Sequence, residues 1–283
     1  MARALPRMDQ KAESTLVLAG RAYPSRQECL PSGEIPGGSY RARFARDAAD
    51  LQAVQRLRFE VFNVELGEGL DRSWQTGLDV DEFDASCHHL IVEHKESRSV
   101  VGTYRVQTLD MARSSRGLYT EGEFDLSELP PEVLEQSVET GRACVAAEHR
   151  SGRVLTLLWK GLAAYLVWNR KRYLFGCCSL TSQDPHVAKQ TYDFLRSGTF
   201  AHPSLRTRPR ADYICYPPTF EANPNVSVKL PPLFASYLKL GARITGEPAL
   251  DREFKTIDFL ALLDTHDLDP ATVRTFFGSS SVG

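Results

Sequence analysis

The sequence predicts an α/β protein of the α+β type, with helices packed in layers on a mixed central sheet. Three observations carry this. Apolar strand-like runs alternate with helical periodicity from Tyr40 onward, each helix has a recognisable start, and nowhere does a second core begin. One domain over residues 39–283 is therefore expected, preceded by a flexible arm over residues 1–38 rich in Pro, Gly and Ser, in which "STLVLAG" could add an edge strand.

The elements follow in order. "YRARFAR" reads as a strand, and Asp47 or Asp50 then caps a helix that places Leu51, Val54, Leu57, Val61 and Phe62 on one face. "HHLIVEH" and "SVVGTYRVQTL" form a strand pair around the polar "KESRS" turn. "LSELPPEVLEQ" is a short helix. "SVETGRACV" is a strand that runs through a basic loop into a long helix from Val154 to about Arg170. "RYLFGCCSL" is a buried strand, and Asp184-Pro185 starts the next helix. "ADYICY" reads as a strand, "PPLFASYLKLGA" as a helix and "FKTIDFLALL" as the last strand.

Composition narrows the function classes. With 34 Lys and Arg against 36 Asp and Glu, the net charge of -2 gives no nucleic-acid footprint, and no nucleic-acid partner is expected. The six cysteines form no CxxC pair and read as reduced core thiols. No apolar run suffices to span a membrane and the N-terminus resembles no secretory signal, so a cytoplasmic location is expected. His88-His89 should point one in and one out, which disfavours a shared metal, and no metal site is expected. Cys177-Cys178 lacks the partners of a thiol nucleophile, and GxSxG, Walker, HExxH and full GxGxxG motifs are absent.

The chemistry-bearing residues concentrate around the strand "SVETGRACV" and the turn after it. A helix N-terminus presents unpartnered amide N–H groups and a positive dipole end, a natural anion site. In "EHRSGRVLTLLW", Ser151 can cap the helix, Gly152 admits close approach, and Arg150 and Arg153 add charge, an arrangement suited to a phosphate. Arg105 lies in an apolar strand and needs a carboxylate partner, with Asp81 or Asp84 the nearest choice. Glu139 is either a general base or the salt-bridge partner of Arg142.

This pattern resembles the acyl-donor turn of the GNAT superfamily of acyltransferases. The series "RFEVF", "DVDEFD", "GTYR" and "VETGR" is similar to that of the acyl-homoserine-lactone synthases, except that Glu68 stands where those carry a tryptophan. "DEFDASCHHLIV", "GEFDLSEL", "LLWKGLAAYL" and "YLKLGARITGEPALDREFKTIDFLALLD" resemble the ornithine-lipid branch, the L-ornithine Nα-acyltransferases, over residues 40–265. The resemblance implies a mostly antiparallel sheet with a splayed strand pair. It implies transfer of a 3-hydroxyacyl chain from acyl carrier protein, through its 4'-phosphopantetheine arm, to ornithine. No other cofactor is implied. Catalytic roles fall to Glu139, Arg142 and the backbone near Val145. Acceptor binding falls to Arg58, Phe62, Asp81, Asp84 and Arg105, and donor binding to Arg150, Ser151, Gly152 and Arg153. Tyr192 is a candidate donor of a proton to the leaving thiolate. Lys160, Arg170, Lys171 and Arg172 would add to a basic face for the acidic carrier protein. The amphiphilic product is compatible with peripheral contact at the inner membrane surface. Another amine such as glycine, a homoserine-lactone-synthase-like reaction, and a non-catalytic carrier-protein or lipid-binding module stay open as alternatives.

Overall fold

The computed structural model describes residues 23–278; "STLVLAG" lies outside them. The strands are β1 (Ile35–Gly37), β2 (Tyr40–Phe44), β3 (His88–His94), β4 (Val100–Thr108), β5 (Phe124–Asp125), β6 (Ser137–Val145), β7 (Tyr173–Leu180), β8 (Arg208–Pro209), β9 (Arg243–Ile244), β10 (Ala249–Asp251) and β11 (Thr256–Asp264). The helices are α1 (Ala48–Arg58), α2 (Ser73–Thr76), α3 (Leu109–Arg113), α4 (Thr120–Glu123), α5 (Pro131–Glu135), α6 (Arg153–Asn169), α7 (Pro185–Ser197), α8 (Pro232–Leu240) and α9 (Pro270–Phe277). The strand pairing is mixed and mostly antiparallel, with helices flanking it, as the sequence predicts. The described residues fall into two compact units, residues 23–107 with 141–169 and residues 108–140 with 170–278.

In the first unit the strand order is β1-β2-β3-β4-β6. Within the segment read as an arm, Ile35–Gly37 pairs antiparallel with β2 and Tyr23 is buried. Asp47 is the α1 cap: its carboxylate accepts the Asp50 N–H at 2.9 Å. Leu51, Val54 and Leu57 are buried as the helical spacing predicts. Beyond Arg58 the helix widens into a π-helical turn, Phe59–Glu65, closed by the Leu66 N–H on the Val61 carbonyl at 3.0 Å.

Both faces of β3 are covered, so the expectation of one inward and one outward histidine is corrected: His88 and His89 are both buried. They still point opposite ways. His88 meets Tyr165 Oη of α6 at 2.8 Å, and His89 meets Tyr23 Oη at 2.9 Å. Burial lowers the His88 pKa to about 4. Helix α6 can lie on this face because Gly161 has no side chain; a Cβ there would come within 2.5 Å of Leu90.

In the second unit the order is β6-β7-β11-β10, with β9 also on β11. Strand β11 pairs antiparallel with β7 from Ile257↔Leu180 to Asp264↔Tyr173. Its opposite edge is taken by β10 at one end and β9 at the other. "ADYICY" is therefore not a strand. Both long edges of β11 are occupied, and residues 211–213 close a tight turn with the Tyr213 N–H on the Arg210 carbonyl at 2.8 Å. Phe175, Leu260 and Leu262 pack on one face with Leu109 and Phe124. Cys178, Ile257, Phe259 and Ala261 pack on the other with Leu195 of α7 and Phe234 of α8. Asp184 caps α7 as predicted, accepting the His186 N–H at 2.8 Å.

Strand β6 pairs with β7 in parallel for three residue pairs only, Ser137↔Tyr173, Val138↔Leu174 and Glu139↔Phe175. A Cβ at Gly176 would stand 2.0 Å from the Thr140 carbonyl, so glycine permits the last close contact. At Arg142 the backbone of β6 takes φ +50°, a left-handed conformation unusual for a strand.

Candidate active site

The predicted polar residues form a group in each unit. In the first, Arg58 at the end of α1 is fully buried and carries two aspartates. Its Nε and Nη2 reach Asp79 Oδ1 at 3.0 and 2.5 Å, and Nη1 reaches Asp84 Oδ1 at 2.6 Å. Arg105 of β4 donates to Asp81, and its Nη1 lies 3.4 Å from Asp84 Oδ1. Arg142, at the left-handed residue of β6, donates to Asp79 Oδ2 and stacks over Phe62 with its guanidinium carbon 4.4 Å from the ring centre. Gln55 supplies Asp84 Oδ2 with a further donor at 3.0 Å.

Three guanidinium groups thus meet three carboxylates, and charge balances inside a water-poor core. Burial alone would raise the pKa of Asp79, but Arg142 and Arg58 outweigh it and hold the group below the usual carboxylate range. Asp84 is held well below that range in the same way, by Arg58, His89 and Arg105 against burial. The sequence pairing of Arg105 with Asp81 or Asp84 is what the structure contains. Asp81 and Asp84, which the resemblance places among the acceptor-binding residues, are ion-paired with Arg105 and Arg58.

The donor turn follows in the same unit. Arg150 makes a bidentate pair with Glu65, Nη1–Oε1 at 2.5 Å and Nη2–Oε2 at 2.7 Å. Its Nε holds the Val145 carbonyl at 3.0 Å. Gly152, at φ +78°, occupies the cap position of α6: its carbonyl accepts the Thr156 N–H at 2.9 Å. Ser151 was the expected cap; among the described residues its side chain makes no hydrogen bond, because the left-handed glycine moves the helix start one residue on. Arg153 lies beside Gly38 of the β1–β2 turn, where a Cβ would stand 3.1 Å from its Nη1.

In the second unit, Glu139 is the last residue of β6 paired with β7, and it is 5% exposed. Its carboxylate is gripped by the first turn of α4. Oε1 accepts the Thr120 N–H at 2.8 Å and the Thr120 hydroxyl at 2.7 Å, and Oε2 accepts the Tyr119 N–H at 3.1 Å. A strand carboxylate so fixed is held in one orientation rather than left to find its own rotamer. Tyr192, the candidate thiolate acid, is half-buried in the core with Cys178 and Leu195.

Sequence reasoning passed over four residues beside Glu139. Tyr119 donates its hydroxyl to Asp251 at 3.0 Å. Glu123, at the end of α4, is 3.7 Å from Cys177 Sγ, and the ligand-capable atoms of Glu123, Cys177 and Asp258 all lie within 4.8 Å of one another. Burial and the charges of Asp258 and Asp251 raise the Glu123 pKa well above its ordinary value. Burial, reinforced by the charge of Asp251, pushes Asp258 up to about 6. One signal could have found them: Asp258 interrupts the apolar run "FKTIDFLALL" as Arg105 interrupts its own strand.

A family model described as acetyltransferase (GNAT) domain matches residues 57–160, which carry Arg58, the three aspartates, Arg105, Glu139, Arg142 and the donor turn. The L-ornithine N(alpha)-acyltransferase of Rhizobium meliloti is 30% identical over 88% of this chain and 88% of its own. That of Brucella abortus is 33% identical over 85% of this chain and 89% of its own. The chain belongs to the L-ornithine Nα-acyltransferase family. It is accordingly an acyltransferase. Among solved structures, the AHL synthase LasI aligns over 88% of this chain and 96% of its own, with a TM-score of 0.44 and 12% identity. No helix of this acyltransferase among the described residues is long and apolar enough to cross a membrane.

Proposed function

We propose that this chain acylates the α-amine of L-ornithine with a 3-hydroxyacyl group carried on the phosphopantetheine arm of acyl carrier protein. The acceptor is the one for which its relatives are named. The observation that carries the reading is Glu139, a buried carboxylate locked by three donors where β6 leaves its pairing with β7.

The reaction needs a free amine. Glu139 accepts a proton from the α-ammonium, directly or through one water, and the amine nitrogen attacks the thioester carbonyl carbon. A C–N bond forms, negative charge gathers on the carbonyl oxygen, and backbone N–H groups near Val145 stabilise it. The intermediate collapses with cleavage of the C–S bond; the thiolate leaves and takes up a proton. The turn of Arg150, Ser151, Gly152 and Arg153 receives the single phosphodiester of the pantetheine arm. Arg142, whose side chain is 11% exposed against none for Arg58, is the member of the arginine–aspartate network that offers a cation to the acceptor carboxylate. Arg58, Asp79, Asp84 and Arg105 hold Arg142 and Phe62 in place from behind.

The test is an acylation assay of the purified full chain with 3-hydroxyacyl carrier protein and L-ornithine, read by mass spectrometry. N-acylornithine is the expected product. Product with glycine but none with ornithine would move the acceptor, product from acyl-CoA alone would remove the carrier protein, and no product with any amine would favour a binding module.

A further inference from the structure

We propose that Glu123, Asp251 and Asp258 form the receptor for the side-chain ammonium of the acceptor, drawn together by α4, β10 and β11 around Tyr119 and Cys177. This rests on the diamino-acid acceptor proposed above and adds the residues that select it.

Charge bookkeeping leads there. Asp79, Asp81 and Asp84 of the first unit are each met by arginine. Glu123, Asp251 and Asp258 are 2%, 4% and 4% exposed, yet among the described residues none has a basic side chain within ion-pair distance. Buried carboxyl groups without a cation are costly and are retained where a ligand supplies the charge. Unmet bonding capacity points the same way. Glu123 Oε1, Asp258 Oδ1 and the hydroxyl of Thr256 are buried with no hydrogen-bond partner. Thr256 is not acidic. It pairs with Asp251 in the ladder and shares a face of β11 with Asp258.

The cluster has an entrance and a direction. Ser179 lies opposite Asp258 and is exposed, and Cys177, two residues back on the same face of β7, is half-buried. Tyr119 joins the cluster to the base: its N–H goes to Glu139 and its hydroxyl to Asp251. An amino acid whose α-amine meets Glu139 can thus run its methylene chain towards a terminal ammonium among three carboxyl groups. An ammonium carries three donors for three acceptors. A transition metal is the poorer fit, since burial and the neighbouring Glu123, Asp258 and Glu139 keep Cys177 a thiol rather than a thiolate.

The groups facing Glu123 are Tyr119, Cys177, Asp251 and Asp258, with Glu139 across Tyr119. Burial and the charges of Asp258 and Asp251 favour the protonated form of Glu123, and a cation bound beside it favours release of that proton.

The experiment compares L-ornithine with L-norvaline, which has the same chain without the terminal amine, on the full-length protein. Calorimetry in buffers of different ionisation enthalpy, with no acyl donor, is expected to show about one more proton released with ornithine than with norvaline. In turnover, Glu123→Gln and Asp258→Asn are each expected to cut the ornithine-to-norvaline ratio of kcat/KM at least about tenfold, through KM for ornithine. Equal proton release for the two ligands in the wild type would overturn the receptor whether or not the variants fold. So would an unchanged ratio in both variants, or turnover abolished by chelator dialysis and restored by zinc. Ornithine binding with the extra proton released but no acylation would overturn the proposed reaction and leave the receptor standing.

Discussion

Thr120 grips Glu139 Oε1 twice, with its amide at 2.8 Å and its hydroxyl at 2.7 Å. A β-hydroxyl beside its own amide lets one residue make both bonds, and the neighbouring Tyr119 amide takes the other oxygen at 3.1 Å. The carboxylate is aimed by α4, not by the strand that bears it.

Glu139→Gln tests what that aim is for. The amide keeps the shape but cannot take a proton from an ammonium, so kcat is expected to fall about 100-fold or more. One Gln NH₂ would face a protein donor, which costs about 1–3 kcal/mol of stability. Activity and a urea melt separate the two: a large loss of kcat with a modest shift in midpoint supports the base. Activity within a few-fold of wild type would assign Glu139 to structure.

The acid cluster predicts a stability gain from a functional loss. Asp258 has a folded pKa of about 6, above its unfolded value, so the folded state binds the extra proton. Its contribution is therefore fully favourable below pH ~4 and is lost as pH rises to about 6. The shift corresponds to roughly 3 kcal/mol, with Glu123 titrating jointly. Asp258→Asn does not titrate. Relative to wild type its stability is expected to rise by about that amount between pH 4 and pH 7, measured by urea unfolding at each pH. A constant difference across that range would contradict the shift.

Arg58→Met removes a cation that two buried aspartates share. The side chain fits the space, but Asp84 loses its closest cation and Asp79 retains only Arg142. A loss of about 3–5 kcal/mol is expected in chemical denaturation. A loss below about 1 kcal/mol would mean that water reaches this network.

The residues that could be read early are those whose local chemistry betrays their partners. Arg105 in an apolar strand demanded a carboxylate, and Asp81 and Asp84 were near enough in pattern to supply it. Asp47 and Asp184 declared helix starts through capping, a property of four adjacent residues. Asp79 belongs to the same "DVDEFD" run, and nothing local says which acid of a run turns inward. Glu123 and Asp258 are 135 residues apart and meet only because β7, β10 and β11 pair in one register. The tight turn at "ADYICY" is hidden for a related reason: its residues suit a strand, but residues 211–213 turn and only Ile214 bridges Ala249 of β10.

Gly152→Ala isolates conformation from space. No atom lies within 4 Å of the added methyl, so the cost comes from φ +78° alone. About 1–2 kcal/mol is expected, with the donor turn distorted in proportion. A fully stable variant would show that the turn can start its helix another way.

The Arg150–Glu65 pair separates donor binding from stability. Its side chains are 44% and 34% exposed, where an ion pair contributes about 0–1 kcal/mol. Arg150→Ala should thus melt within a few degrees of wild type. If its guanidinium also receives the donor phosphate, KM for acyl carrier protein should rise about tenfold and depend less on salt. Glu65→Ala distinguishes this from a general loss of loop order. It leaves Arg150 its bond to the Val145 carbonyl while removing the competing anion, so KM for the donor should fall. A rise in both variants would instead show that the ion pair only shapes the turn and that the phosphate is held by backbone N–H groups and Arg153.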